Sequence, residues 1–135
     1  MRIQENLQEI STKIQDKATL VVVTKTRSVE DLQVVYELGY KIFGENKVQE
    51  MCAKYEVLPS DIQWHAIGHL QTNKVKYIAP FVSLIHSVES KKLLEEINKQ
   101  AQKNNRIIPC LLQIYIAKED TKFGLDEQEL KEILK

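Results

Sequence analysis

The residues able to do chemistry stand at the ends of apolar runs. Leu20-Val21-Val22-Val23-Thr24-Lys25-Thr26 is a β-branched run that stops at a primary amine. Such side chains pack well in pleated strands, and an apolar run without alternation predicts burial on both faces, as in a parallel sheet. Ligands gather at the carboxyl ends of parallel strands. An amine desolvated there against an apolar strand would have a lowered pKa, which makes Lys25 a candidate nucleophile toward a carbonyl. On the strand pattern alone the default is that Lys25 marks where the strand enters water.

Three further groups share this placement. Phe43-Gly44-Glu45-Asn46 closes a second apolar run, where Gly44 permits a tight turn and Asn46 is either a helix N-cap or a ligand contact. Trp64-His65-Ala66-Ile67-Gly68-His69 closes a third. Its two histidines are four apart, but Gly68 interrupts and no glutamate stands where a zinc helix needs one, so they read as satisfied or solvated imidazoles. His86-Ser87 closes a fourth run, with Ser87 a cap or a phosphate donor. Walker loops, dinucleotide-binding glycine patterns and nucleophile elbows are absent from the sequence.

Composition sets the broad class. The 135 residues suit one domain with a core, and 43% hydrophobic with 28% charged residues is ordinary for a globular protein. Nineteen basic and nineteen acidic residues cancel, which argues against broad binding to nucleic acid or anionic membrane. No apolar run approaches the roughly 20 residues of a membrane span, and the N-terminus lacks a secretory layout. Cys52 and Cys110 sit apart in apolar contexts and read as buried reduced thiols of a cytoplasmic protein.

The elements that must position these groups alternate. Ile3, Leu7, Ile10 and Ile14 predict an opening amphipathic helix. The first strand ends near Lys25, and Ser28 with Asp31 starts a helix that Gly39 stops. Tyr40–Phe43 predicts the second strand, Val48 to Tyr55 a helix, and Ile62–Ile67 the third strand. A short helix is expected from Gln71 to Ile78, a fourth strand over Phe81–Ile85, and a helix capped by Ser90. The fifth strand falls within Ile107–Ile116, and Asp126 with Glu129 opens a last helix. Strand–helix alternation implies a parallel sheet. Length alone favours an open flavodoxin-type sheet of order 2-1-3-4-5, whereas a barrel piece runs 1-2-3-4-5 and curls.

Four segments then occur in order: Val22-Val23-Thr24-Lys25-Thr26, Phe43 to Glu50, Trp64 to Lys74, and Ile85 to Ser90. Together they closely resemble the pyridoxal phosphate homeostasis (YggS/PROSC) family, which shares the barrel of the alanine racemase N-terminal domain. The resemblance implies a partial (β/α)8, TIM-type barrel of about five βα units with an extra N-terminal helix. It makes residues 1–135 a single barrel domain lacking its C-terminal strands and phosphate-binding segment.

In that family Lys25 matches the lysine that holds pyridoxal 5′-phosphate (PLP) as a Schiff base, and Asn46 matches a residue lining the cofactor. Lys122-Phe123-Gly124 matches a lysine-and-glycine segment after the fifth strand. The implied function is PLP binding in intracellular PLP homeostasis, as a carrier or buffer with no catalytic residue or metal. The alternative is a racemase-like PLP enzyme, which needs a second acid/base group opposite Lys25; the sequence offers no good candidate, Tyr115 being a weak one. Without the phosphate-gripping segment, PLP binding is expected to be weak, and exposed barrel edges are expected to drive self-association.

Overall fold

A computed structural model describes residues 2–15, 17–114 and 126–134. The opening helix α1 (Arg2–Ile14) leads to strand β1 (Val22–Val23), helix α2 (Val29–Glu37) and strand β2 (Ile42–Glu45). Helix α3 (Val48–Val57), strand β3 (Gln63–Ala66), a 3-10 turn (Thr72–Lys74) and helix α4 (Val75–Ile78) follow. Strand β4 (Leu84–Val88), helix α5 (Lys91–Lys103), strand β5 (Cys110–Leu112) and helix α6 (Glu127–Leu134) complete the described elements. Among the described residues no helix is long and apolar enough to cross a membrane.

All strand pairs are parallel and the sheet order is β1-β2-β3-β4-β5. Sequential order removes the flavodoxin-type arrangement and leaves part of a barrel. The parallel register makes every strand leave the sheet at the same rim. Val22, Phe43 and Trp64 lie side by side, as do Glu45, Ala66 and Ile85. This is the helix-covered face: Phe43, Trp64, Ala66 and Ile85 pack with Leu32, Val35, Met51, Val75, Ile78, Leu93 and Ile97. Phe43 and Trp64 meet edge to face at 5.7 Å.

The opposite, inner face carries Val23, Gly44, His65 and Leu84 in one register row. Here the expectation for β1 fails. The strand is shorter than its apolar run, and Val23 is 53% exposed. As an edge strand with one paired neighbour among the described residues, β1 has helices over one face only, so one valine of the run points to an uncovered surface.

Other boundaries shift for identifiable reasons. The strand predicted over Tyr40–Phe43 instead runs through Gly44 to Glu45. Gly44 is therefore no turn residue; a Cβ there would lie 3.0 Å from Ile67 and 3.1 Å from Val21, so glycine lets three strands approach. The fourth strand begins at Leu84, not Phe81, and takes in His86 and Ser87. Phe81 is held back by stacking on Tyr55 at 3.9 Å, and Arg106 donates to the carbonyls of Ala79 (2.6 Å) and Val82 (2.8 Å). Those bonds tie the α4–β4 loop down before the ladder starts.

The helix expected from Gln71 splits into the 3-10 turn and α4. The caps on Ser28 and Ser90 form, accepting from the amides of Asp31 and Leu93 at 3.1 Å each. Gly39 ends α2 with φ +99°, and Asp126 accepts from the Glu129 amide at 2.8 Å. Cys52 and Cys110 are free thiols but only half-buried, and burial raises the pKa of each. Tyr115 and Lys122-Phe123-Gly124 lie outside the described residues.

Candidate functional site

Lys25 leaves the sheet two residues beyond β1, and Asn46 one residue beyond β2. The amide of Thr24 still donates to the Gly44 carbonyl at 3.0 Å, so the ladder reaches the residue before Lys25. The β1–β2 register ends with Val23 opposite Gly44, so Lys25 and Asn46 both follow the carboxyl ends of neighbouring parallel strands. Both stand on the rim where β3 and β4 also end. The Lys25 side chain is exposed, as the default reading of its strand pattern has it, and is not desolvated by the strand. The apolar partners of β1 belong to its helix-covered face, and the chain enters a turn at Lys25.

That turn is tight and strained. Arg27 donates to the Thr24 carbonyl at 3.2 Å, which closes a four-residue turn with Lys25 and Thr26 at its centre. Thr26 has φ +61°, a left-handed conformation that a β-branched residue adopts only when its surroundings enforce it.

The enforcing groups come from β2 and α3, and sequence reading missed them. Lys54 is 5% exposed and Glu45 is fully buried. The ammonium has three N–H donors, and each is used: Glu45 Oε2 at 2.8 Å, Glu50 Oε2 at 2.8 Å and the Thr24 carbonyl at 2.7 Å. Thr24 Oγ1 donates to the same Glu45 oxygen. Glu50 in turn accepts from the Thr26 amide at 2.7 Å. Lys54 holds the Glu50 carboxyl below the usual carboxylate range, more strongly than partial burial raises it. Glu45 Oε1 finds no partner among the described residues. Leaving one charge of such a pair alone costs about 3–5 kcal/mol. The i, i+4 spacing of Glu50 and Lys54 was visible in the sequence; the burial of Lys54 against Glu45 was not.

Of the two readings of Asn46, helix cap or ligand contact, the structure removes the cap. Lys47 occupies the N-cap of α3 without a side-chain bond. The Asn46 side chain lies instead over Gly68, where a Cβ would come within 2.8 Å of Oδ1. Glycine at the end of β3 thus gives the amide its seat. Asn46 also lines a cavity of about 260 Å³ with Lys47, Gln49, His69, Gln71 and Lys74.

The histidines separate. His65, buried on the inner face, puts Nδ1 3.0 Å from His86 Nε2. Burial lowers the pKa of both, and each charge would also repel the other at His65. His69 instead pairs with Glu89 on the rim. Ser87 is no helix cap; it reaches the Ile67 carbonyl at 3.5 Å from inside β4. Among the described residues no cluster of three or more His, Cys, Asp or Glu could hold a metal ion.

This frame has known counterparts. A pyridoxal phosphate homeostasis protein of Aquifex aeolicus is 41% identical over 136 aligned residues, which cover 98% of this chain and 60% of that protein. The solved structure of PipY from Synechococcus elongatus without PLP superposes with a TM-score of 0.90 at 32% identity, covering 98% of this chain and 62% of PipY. Its PLP-bound form gives 0.87. Alanine racemase from Bartonella henselae, at 18% identity and a TM-score of 0.76, shares the fold over 37% of its own length. The chain spans about 60% of the length of such relatives. Its whole length, residues 1–135, matches one description, alanine racemase, N-terminal domain, and with the sequential parallel sheet and its lysine-bearing rim this chain belongs to that family.

Proposed function

We propose that this chain binds pyridoxal 5′-phosphate and serves intracellular, cytoplasmic PLP homeostasis, as a carrier or buffer of the cofactor. Residues 1–135 act as one domain of the barrel, Lys25 is the point of covalent attachment and Asn46 lies alongside the bound ring. The observation that carries the reading is the exposed primary amine of Lys25 on the same sheet rim as Asn46, just beyond the ends of two neighbouring parallel strands.

The residues present fit the group. PLP supplies an aldehyde, and an exposed primary amine is the group that reacts with one. Lys54 is a poor competitor, because its three donors are engaged and it is buried. Asn46, seated on Gly68, offers a neutral amide to a polar ring substituent. The likeness to a PLP homeostasis protein and to PLP-bound PipY supports the same assignment.

Incubating the chain with PLP, reducing with borohydride and mapping the labelled peptide tests the reading. Label is expected on Lys25, and Lys25→Ala should abolish it. Label spread over surface lysines, unchanged by Lys25→Ala, would refute it. Exchange of the alanine α-proton into deuterated water by the loaded protein would point to racemase-like chemistry instead of a carrier.

A further inference from the structure

Lys25 is flanked by two residues whose backbone is gripped from α3. Lys54 Nζ holds the Thr24 carbonyl at 2.7 Å on one side, and Glu50 Oε2 holds the Thr26 amide at 2.7 Å on the other. Lys54 also joins the two carboxylates, Glu45 and Glu50, at 2.8 Å each. Thr26 between them has φ +61°. A strained turn persists only where contacts outweigh its cost, and charge-assisted bonds to backbone groups are among the stronger ones available.

We propose that Glu50 and Lys54 are positioning residues for Lys25: they lock the Thr24–Arg27 turn so that the Lys25 amine leaves β1 toward the barrel mouth. This rests on Lys25 as the attachment point and adds what directs it. Glu45, buried beneath Thr24, anchors Lys54 from the strand side and gives the clamp a fixed base. The clamp therefore couples α3 and β2 to a side chain that makes no bond with either.

The test uses the full 135-residue chain. Glu50→Gln keeps the shape of a partly exposed side chain but removes the charge that Thr26 and Lys54 share. Two readouts are followed: amide hydrogen exchange at Thr26 without ligand, and the rate of borohydride-trapped PLP labelling at Lys25. Exchange at Thr26 is expected to rise about tenfold or more, as for loss of a charge-assisted bond, while amides of β2 and β3 keep their protection. Labelling at Lys25 is expected to slow by about fivefold or more, since a turn free to rearrange presents the amine in the reactive direction less often.

Thr26→Gly in the Glu50→Gln background relieves the left-handed strain and should bring the labelling rate back toward wild type. It also keeps the comparison available if Glu50→Gln alone folds poorly. A folded Glu50→Gln protein with wild-type exchange at Thr26, or with a wild-type labelling rate at Lys25, overturns the proposal. If the wild-type chain takes no label at Lys25, the cofactor assignment fails, and exchange at Thr26 alone then decides whether the clamp exists.

Discussion

The His65–His86 pair shows how a single contact sets a pH response. Nδ1 and Nε2 are 3.0 Å apart, so at most one of them carries the proton in the neutral pair. Burial lowers both pKa values from the ordinary 6.5. The folded protein then binds fewer protons than the unfolded chain as pH falls below that value. Stability from this pair is complete above 6.5 and is lost as pH drops through 6.5 toward the folded values. Denaturant midpoints measured from about pH 8 to about pH 5.5 should decline, and His65→Gln with His86→Gln should flatten the decline. His69 stays in place in both proteins, so an equal decline in the double variant would assign the effect elsewhere.

At the scale of elements, the helices are fixed by caps and the strands by what lies on their helix-covered face. Ser90 opens the 13-residue α5 by accepting the Leu93 amide, and α5 buries Leu93, Ile97, Gln100 and Ala101. Ser90→Ala should lower unfolding free energy by about 1 kcal/mol in urea titrations, the usual worth of such a cap. No change in midpoint would mean that the packed face holds the helix start unaided. The Ser28 cap of α2 lacks the reciprocal half of a capping box, because Asp31 faces Arg27 at 3.6 Å instead. Helix α3 has no side-chain cap at all, and its position comes from Met51 in the core and Lys54 on Glu45. An interior ion pair thus does for α3 what a serine does for α2 and α5.

At the scale of the whole molecule, the sheet carries helices on one face only among the described residues. Among the described residues β1 and β5 each pair with one neighbour, and Val23, Leu111 and Ile114 are 53%, 49% and 44% exposed. Unpaired strand edges beside apolar surface favour association. The 135-residue chain is therefore expected to self-associate with rising concentration, read as a concentration-dependent sedimentation coefficient. A monomer at all concentrations, with a sharp melting transition, would show that this face is satisfied within one chain.

Much of this was legible in the sequence because it rests on local chemistry. Serine caps, Gly39 with its positive φ, the core faces of α2 and α5, and the strand–helix alternation each depend on residues a few positions apart. The placement of Lys25 and Asn46 on one rim also followed, since parallel strands share a carboxyl end. Strand order was legible only through the family resemblance, which implied a barrel piece in sequential order, because hydrophobic runs by themselves do not say which run lies beside which. The helix-side clamp was not legible. Glu45, Glu50, Lys54 and Thr24 read singly as ordinary polar residues, and their meaning comes from burial that only packing creates. The chain by itself determined which residues could react; the tertiary structure decided which amine is engaged in the interior and which is left free at the surface, because burial and proximity belong to the folded whole.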